Sequence, residues 1–279
     1  MSAEMTALGI ADCHLHVIDP ARFPFVPGAG YTPRPDETGT RETLDAVLDT
    51  HGVAHALLVQ PSGYGFDNAA MFDAMAARPG RFKAIAVISG EESDRTLETL
   101  AERGVVGMRF NLVNAKADAL AGAGAPALLA RLKGLGWFAQ VFASDGQWQA
   151  AAPLLRRSGV RILVDHFGIG DLALGFGAPG FQAVLDLGRS GNAAVKLSAP
   201  FRLAPKRGDY GAIEGHAEAL LAAFGKEGCI WGSDWPFLGM DYEIRYADCL
   251  AALARWLPDA ADRDRVLRDN PARLFGFGR

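Results

Sequence analysis

Cysteine, charge of one sign and long apolar runs are all scarce in this sequence, and each shortage excludes a class of protein. The three cysteines, Cys13, Cys229 and Cys249, are widely spaced and form no C-x-x-C pair, which argues against a disulfide framework and favours a reducing, cytoplasmic setting. The net charge of −4, without any basic run, argues against nucleic acid as a partner. No apolar run reaches the roughly 18 residues of a membrane span, and the N-terminus lacks an export signal.

A glycine-rich phosphate turn is also missing after the first apolar strand. The residues at that point, 17–20 (VIDP), cannot cradle a pyrophosphate, which argues against a doubly wound nucleotide-binding sheet. Instead, short apolar strands alternate with amphipathic helices without a linker-like break over the 279 residues. The sequence therefore predicts a single α/β domain over residues 1–279, a (β/α)8 TIM barrel with a C-terminal helical extension. Predicted strands are 8–17, 53–60, 82–88, 105–110, 137–142, 160–165, 193–197 and 229–232. Predicted helices are 40–50, 68–77, 93–102, 127–135, 146–158, 179–189, 210–224, 242–256 and 261–268.

Two histidines close the first predicted strand. Residues two apart on a strand point to the same side, so His14 and His16 are expected on one face and Cys13 on the other, in the outer layer of the barrel. Alone, this pair would be weak evidence for a site. Its weight comes from the polar residues that close the other strands.

The strand ends of a TIM barrel all open onto one face, where its active sites lie. Polar side chains recur at these ends in this sequence, and we expect them to converge. They are His14 and His16, Ser62 with Tyr64, Arg109 with Asn111, His166, Lys196 with Ser198, and Asp234. Three other histidines, His51, His55 and His216, fall at a helix end, a strand start and a helix interior, where structural roles are expected.

Two chemistries fit three histidines and one aspartate. A divalent metal, zinc or manganese, would be held by His14, His16 and a third ligand, with Asp234 as ligand or base. Without metal, the imidazoles and Arg109 would polarise a carbonyl while Asp234 takes a proton from water. The residues alone leave both alternatives open.

Four motifs spread over the chain resemble the amidohydrolase superfamily: D-x-H-x-H at 12–16, V-D-H at 164–166, G-S-D-W-P at 232–236 and N-P-A-R-L-F at 270–275. Segments 60–68, 107–111 and 196–202 are similar to the branch of pyrone dicarboxylate and sugar lactonases, enzymes of aromatic and sugar acid catabolism. The resemblance implies that His14, His16 and His166 polarise a lactone carbonyl. Asp234 would activate water and later protonate the leaving oxygen.

The resemblance also implies a set of substrate contacts. Arg109, Arg202, Ser62 and Tyr64 would hold substrate carboxylates, because guanidinium groups match the planar carboxylate. Asn111 and Lys196 at strand ends, and Tyr31 in the long first loop, are further candidates for contact with substrate.

Three departures from that branch limit the prediction. Metal-dependent members carry a histidine at the end of strand five, whereas residues 140–144 (QVFAS) offer none, so no metal is expected. An arginine of the pyrone lactonases is replaced by Ala115, with Lys116 next, and a tyrosine by Phe142. We therefore expect a lactone with about one carboxylate, or a sugar lactone, as the small-molecule substrate.

Two other functions remain as alternatives. The first is a metal-dependent amidohydrolase or decarboxylase that uses His14, His16 and Asp234, and the second is a binding protein without turnover. The sequence does not exclude a homo-oligomer.

Overall fold

A computed structural model describes residues 9–114, 120–169 and 171–278 of the chain. Its eight strands form one parallel sheet in the order of the sequence, each strand hydrogen-bonded to the next. The strands are β1 (Ile10–Leu15), β2 (Val53–Val59), β3 (Phe82–Ala86), β4 (Val105–Asn111), β5 (Phe138–Phe142), β6 (Arg161–Val164), β7 (Ala193–Ser198) and β8 (Cys229–Gly232). This order, with helices between the strands, confirms the predicted (β/α)8 barrel.

The helices follow the strands and cover the outside of the sheet. They are α1 (Arg41–Thr50), α2 (Ala69–Ala77), α3 (Asp94–Glu102), α4 (Ala125–Gly134), α5 (Asp145–Ser158), α6 (Pro179–Arg189), α7 (Glu214–Phe224), α8 (Tyr246–Trp256), α9 (Ala260–Asp264) and α10 (Asn270–Phe275). Ser93 caps α3 as predicted, because its hydroxyl accepts the backbone N–H of Thr96 at 3.1 Å. None of the helices described is both long and apolar enough to cross a bilayer.

Two predicted helices have different boundaries in the structure. Residues 210–213 form a 3-10 turn before α7, and residues 242–245 precede α8 without helical structure. The final predicted helix, 261–268, is interrupted by a π turn at Arg265–Asp269, after which α10 continues to Phe275. The apolar periodicity predicted the positions of the helices that pack against the sheet. It did not predict the residues at which the backbone changes from α-helical to 3-10 or π hydrogen bonding.

The seam between β8 and β1 closes the barrel just beyond the last residue of β8. The Asp234 N–H donates to the His14 carbonyl at 2.7 Å, and the His16 N–H donates to the Trp235 carbonyl at 2.9 Å. Asp12 strengthens the seam, since its Oδ1 accepts the backbone N–H groups of His14 and Ser233, each at 3.0 Å. Closure therefore connects the histidine motif directly to the aspartate after β8.

Buried apolar residues form two clusters, one on each side of the sheet. The larger cluster packs the outer strand faces against the helices. The smaller one fills the barrel interior with side chains such as Leu57, Ile85, Leu163 and Ile230, and includes Phe275 and Phe277 from the C-terminal segment. This apolar layer fills the lower part of the barrel, and the polar strand-end residues lie above it.

Cys13 belongs to the interior cluster, so the prediction that it faces the outer layer was wrong. A register irregularity in β1 explains the error, because Asp12 pairs with Ala56 while Leu15 pairs with Leu58. Three steps along β1 thus match two along β2, which is a β-bulge. The extra residue lets Cys13 and His14 both point inward, while His14 and His16 remain on the same side.

Candidate active site

Three imidazoles converge on one carboxylate oxygen above the apolar layer. Oδ1 of Asp234 lies 3.6 Å from Nε2 of His14, 3.5 Å from Nε2 of His16 and 3.6 Å from Nε2 of His166. All four side chains are buried. The structure thus brings together the four residues predicted to carry catalysis.

The loops after β6 and β8 hold two of these residues in an uncommon backbone conformation. His166 has φ 48° and Asp234 has φ 68°, both in the left-handed region that residues other than glycine seldom occupy. Such conformations cost about 1–3 kcal/mol each and persist where surrounding contacts impose them. Here the bond from the Asp234 N–H to the His14 carbonyl helps to impose one of them.

The Nδ1 atoms of the three histidines have different partners. His16 Nδ1 donates to the Val59 carbonyl at 2.7 Å, and His166 Nδ1 shares a hydrogen bond of 2.8 Å with the Ser198 hydroxyl. His14 Nδ1 lies 3.1 Å from the ammonium of Lys196 and 3.2 Å from Oδ1 of Asp165. A carbonyl therefore holds the His16 ring, a hydroxyl holds the His166 ring, and the pair of Lys196 and Asp165 holds the His14 ring.

A buried polar network lies beneath His14. The Lys196 ammonium donates to Oε1 of Gln140 at 2.7 Å and lies 3.1 Å from Oδ1 of Asp165. Gln140 in turn donates through Nε2 to Oδ2 of Asp165 at 3.0 Å. Metal-dependent members of the superfamily were expected to have a histidine ligand at the end of strand five. In this chain, Gln140 on β5 is instead bonded to Asp165 and Lys196.

Arg202 is bonded to the site's aspartate. Its Nε donates to Oδ2 of Asp234 at 2.6 Å, and its Nη2 donates to the Leu238 carbonyl at 3.0 Å. Burial alone would raise the pKa of Asp234, but the charge of Arg202 opposes it and is the main reason that this pKa lies well below its usual value. Asp234 is therefore ionised at neutral pH.

Burial is the main cause of the lowered pKa values of His14 and His166. Burial lowers the pKa of His166 to about 4, against an opposing contribution from Asp234. Burial, with the adjacent charge of Lys196, holds the pKa of His14 well below its usual value. His14 and His166 are accordingly neutral at pH 7.

Arg109 occupies the opposite wall with a guanidinium that is only partly bonded. Its Nη1 donates to the Gln60 carbonyl at 3.0 Å, while its buried Nε lies 4.0 Å from Oδ2 of Asp165 without a hydrogen bond among the described residues. Nearby, the Asn111 amide donates to the Ser62 hydroxyl at 2.7 Å. The hydroxyl accepts in this bond, so its own proton can be donated to another group. These groups form a corner suited to an anion.

A cavity of about 190 Å³ separates this corner from the histidines. This is smaller than the roughly 300–1,000 Å³ of sites for drug-sized ligands, so the volume suits a ligand of fewer atoms. Its lining comprises His16, Tyr31, Pro61, Ser62, Arg109, Asn111, Asn114, Phe142, His166, Arg202, Asp234, Leu238 and Gly239.

The first loop covers part of the cavity through Tyr31. The Tyr31 hydroxyl donates to Glu37 at 2.6 Å, and the other oxygen of Glu37 accepts the Gly239 N–H at 2.5 Å. Glu37 therefore joins the first loop to the loop after β8. Tyr31 contributes a ring to the cavity wall while its hydroxyl is engaged.

Two residues expected to contact substrate lie behind the cavity wall. Tyr64 is buried under the first loop, where its hydroxyl accepts the Asp19 N–H at 2.9 Å. Lys196 is completely buried below the histidines. Lys116, which follows the position where the pyrone lactonases have an arginine, lies outside the described residues.

Several residues of the site were not singled out from the sequence. Asp165 and Gln140 form the network below His14, and Asn114 and Leu238 line the cavity. The signal for Asp165 was present, since it immediately precedes His166 at a strand end. Nothing in the local pattern distinguishes Asn114 or Leu238 from ordinary loop residues.

The other three histidines have the structural roles expected of them. His51 follows α1 and stacks on Tyr246, while His55 stacks on Phe277. His216 in α7 packs against Phe176 and Phe181. Their rings contact aromatic side chains away from the cavity.

Two groups of residues could in principle hold a metal ion. His14, His16 and Asp234 form one group and His14, Asp165 and His166 the other, each with ligand atoms within 4.8 Å of one another. Spacing alone therefore permits an ion, and the partners of these atoms decide whether the residues suit one.

Comparison with known proteins identifies the chain's relatives. The family model described as amidohydrolase matches residues 11–277. The 4-sulfomuconolactone hydrolase of Rhizobium radiobacter is 31% identical, over 96% of this chain and 90% of that protein. The 2-pyrone-4,6-dicarboxylate hydrolase of Comamonas testosteroni is 28% identical over the same shares of both chains.

A solved structure is similar throughout. It is that of a probable 2-pyrone-4,6-dicarboxylic acid hydrolase from Acinetobacter baumannii with citric acid bound, at 30% identity and a TM-score of 0.86. The match covers 96% of this chain and 99% of that one.

Proposed function

The chain belongs to the amidohydrolase family, and we propose that it hydrolyses the ester bond of a small lactone that carries an anionic group. The observation that carries the proposal is the position of Asp234 Oδ1, within 3.6 Å of three imidazole Nε2 atoms, at a cavity that also holds Arg109. The relatives named above as hydrolases of a lactone and a pyrone, both cyclic esters, support the same reaction class.

The anionic group of the substrate would bind in the corner formed by Arg109, Ser62 and Asn111. Arg109 lines the cavity, so its guanidinium can offer a charge-assisted hydrogen bond, and the Ser62 hydroxyl can donate a second one. Because Arg202 is already bonded to Asp234, Arg109 is the guanidinium at the cavity that is not bonded to the proposed base. We therefore propose a lactone with one carboxylate, with a sugar lactone as the next candidate.

Asp234 would act as the base that activates water. It takes a proton from a water molecule as the oxygen attacks the lactone carbonyl, and the imidazoles stabilise the oxyanion that forms. The ring C–O bond then breaks, and Asp234 returns its proton to the leaving oxygen. The product is the open-chain hydroxy acid, so one water is consumed for each ester bond cleaved.

The donor set fits a resident zinc or manganese ion poorly. A metal-binding histidine normally donates its second N–H to an acceptor, whereas Nδ1 of His14 is 3.1 Å from the Lys196 ammonium, at a distance similar to the 3.2 Å that separates it from Oδ1 of Asp165. Arg202 already binds Asp234, and Gln140 is bonded to Lys196 and Asp165. We therefore propose a reaction without metal, and we derive no step through an ion.

Metal content and activity measured on the same sample test this proposal. Purified protein is analysed for zinc and manganese and assayed on a panel of carboxylated and neutral lactones, with and without chelator. We expect hydrolysis by metal-free protein that chelation does not reduce. Activity that rises and falls with bound metal would instead support the alternative in which His14, His16 and Asp234 hold an ion, and would bring decarboxylation back into consideration.

Replacement of the proposed base gives an independent test. We expect Asp234→Asn to lower kcat by about 10²- to 10⁴-fold, because an amide cannot accept the proton of water. Asp241→Asn, on the exposed part of the same loop, is the matched control and should leave kcat unchanged. Full activity in Asp234→Asn would refute the assignment of the base.

A further inference from the structure

We propose that Lys196 is a positioning residue that fixes the tautomer of His14, so that Nε2 of His14 carries the proton and faces Asp234 as a hydrogen-bond donor. The kinetic part of this inference rests on the proposed function, whereas the tautomer itself does not. Lys196 would then act on the site without touching substrate.

The contacts of Lys196 carry the argument. Its ammonium is completely buried and lies 3.1 Å from Nδ1 of His14 in hydrogen-bond geometry. An ammonium has three protons and no lone pair, so Nδ1 must be the acceptor in this bond. A neutral imidazole that accepts at Nδ1 carries its single proton at Nε2.

Asp165 is the competing partner of Nδ1, but its carboxylate is already paired with Lys196. Its Oδ1 lies 3.2 Å from Nδ1 of His14 and 3.1 Å from the Lys196 ammonium, which neutralises its charge. Its Oδ2 accepts from Gln140, whose Oε1 accepts from Lys196. Gln140 satisfies both neighbours only in this orientation, since the ammonium needs an acceptor and the carboxylate needs a donor.

His16 shows the opposite arrangement within the same H-x-H motif. Its Nδ1 faces the Val59 carbonyl at 2.7 Å, and a carbonyl oxygen can only accept. This carbonyl therefore fixes a proton on Nδ1 of His16. The two histidines of the motif have opposite Nδ1 partners, a donor-only ammonium at His14 and an acceptor-only carbonyl at His16.

The environment of His14 Nε2 agrees with a donor waiting for a partner. This atom is buried without a hydrogen bond among the described residues, 3.6 Å from Oδ1 of Asp234. An N–H at this position would stabilise negative charge on Asp234 or on the oxyanion of the reaction. It could not ligate a cation, because its lone pair is used by the proton.

Nitrogen NMR of the wild-type protein tests the tautomer directly. Long-range ¹H–¹⁵N spectra at neutral pH, assigned with His14→Gln and His16→Gln, distinguish a protonated Nδ1 from a protonated Nε2. We expect His14 protonated at Nε2 and His16 at Nδ1. A wild-type His14 protonated at Nδ1 would overturn the inference without any lysine variant, and a protein inactive on lactones could still give the expected spectrum.

Lysine variants then test the cause. In Lys196→Met, which keeps length but removes the donor, we expect the His14 proton to move to Nδ1, where Asp165 can accept it. We further expect kcat to fall by about 10²-fold, as when an oxyanion donor is lost, while KM changes little. Lys196→Arg, which keeps a donor-only cation, should retain the wild-type tautomer and part of kcat. A folded Lys196→Met protein with unchanged tautomer and kcat would contradict the proposal.

Discussion

At the scale of single residues, the two arginines of the cavity differ in what already binds them. Arg202 donates to Asp234 at 2.6 Å and to the Leu238 carbonyl. Arg109 donates to the Gln60 carbonyl, and its buried Nε lies 4.0 Å from Oδ2 of Asp165. Sequence motifs predicted the same role for both arginines, but their partners differ. We therefore propose Arg109 as the residue that binds the substrate anion, and Arg202 as the residue that keeps Asp234 ionised.

Replacement of Arg109 should separate charged from neutral substrates. We expect Arg109→Gln to raise KM for a carboxylated lactone by about 10- to 100-fold, since a hydrogen bond to a charged group contributes about 1.5–3 kcal/mol. A neutral lactone of the same ring should lose much less. Steady-state kinetics on both lactones provide the measurement, with the exposed Arg207→Gln as control. Equal losses on the two lactones would show that Arg109 is not an anion receptor.

The sequence predicted which side chains converge because strand ends of one barrel meet on one face whatever the loops do. It could not predict how deep in the barrel each side chain lies. Lys196 and Ser198 point to the same side of β7, but Lys196 lies two residues earlier, roughly 7 Å lower along the strand. Ser198 therefore reaches His166, while Lys196 is covered by the histidines.

At the scale of elements, β1 and β8 approach each other so closely that a side chain at Gly232 has no room. A Cβ built there would lie 2.7 Å from the backbone nitrogen of His14 and 2.8 Å from its Cβ. The backbone atoms of His14 can move only together with the rest of β1. A larger residue at position 232 must therefore displace β1 and the histidines on it. Gly232 thus connects barrel closure to the position of His14.

We therefore expect Gly232→Ala to damage both stability and activity. Overpacking at such a contact costs about 1–3 kcal/mol of unfolding free energy, and displacement of His14 should lower kcat. Gly134→Ala is the matched control, because nothing lies within 4 Å of its built Cβ at the end of α4. Urea denaturation and kcat measure both effects. Wild-type stability and kcat in Gly232→Ala would mean that β1 is not constrained there.

Element types were predictable where periodicity was regular, and failed where the backbone departs from it. The bulge in β1 adds one residue without any change in apolar pattern, which is why Cys13 was assigned to the wrong side. The π turn at Arg265–Asp269 likewise lies inside a continuous helical pattern. Both departures depend on pairing with distant segments, which a local pattern does not record.

At the scale of the whole molecule, the barrel interior is arranged in layers. Apolar side chains around Leu57 and Ile230, together with Phe275 and Phe277, form the lower layer. The network of Lys196, Asp165 and Gln140 lies above it, and the cavity lies above the histidines. Ionisable groups are consequently buried in an interior that cannot hydrate them, and their pKa values move in different directions.

Two of these groups should make stability depend on pH in opposite senses. Burial lowers the pKa of His166 from 6.5 to about 4, so between these values the unfolded chain binds more protons and stability rises with pH. Burial raises the pKa of Asp12 from 3.8 to about 6, so between these values the folded chain binds more protons and stability falls with pH. Each contribution is on the order of 3 kcal/mol, at 1.36 kcal/mol per pKa unit. His14, whose pKa is also lowered, acts in the same sense as His166.

Single variants should therefore change the slope of stability against pH in opposite directions. Between pH 4 and 6.5, unfolding free energy in Asp12→Asn should rise more steeply with pH than in wild type, because the opposing group is gone. In His166→Asn it should rise less steeply or fall. Urea denaturation at several pH values measures the slopes, and exposed groups contribute equally to all three proteins. Parallel curves would mean that neither group titrates differently in the folded and unfolded chains, and that the buried layer does not govern the acid response of the barrel.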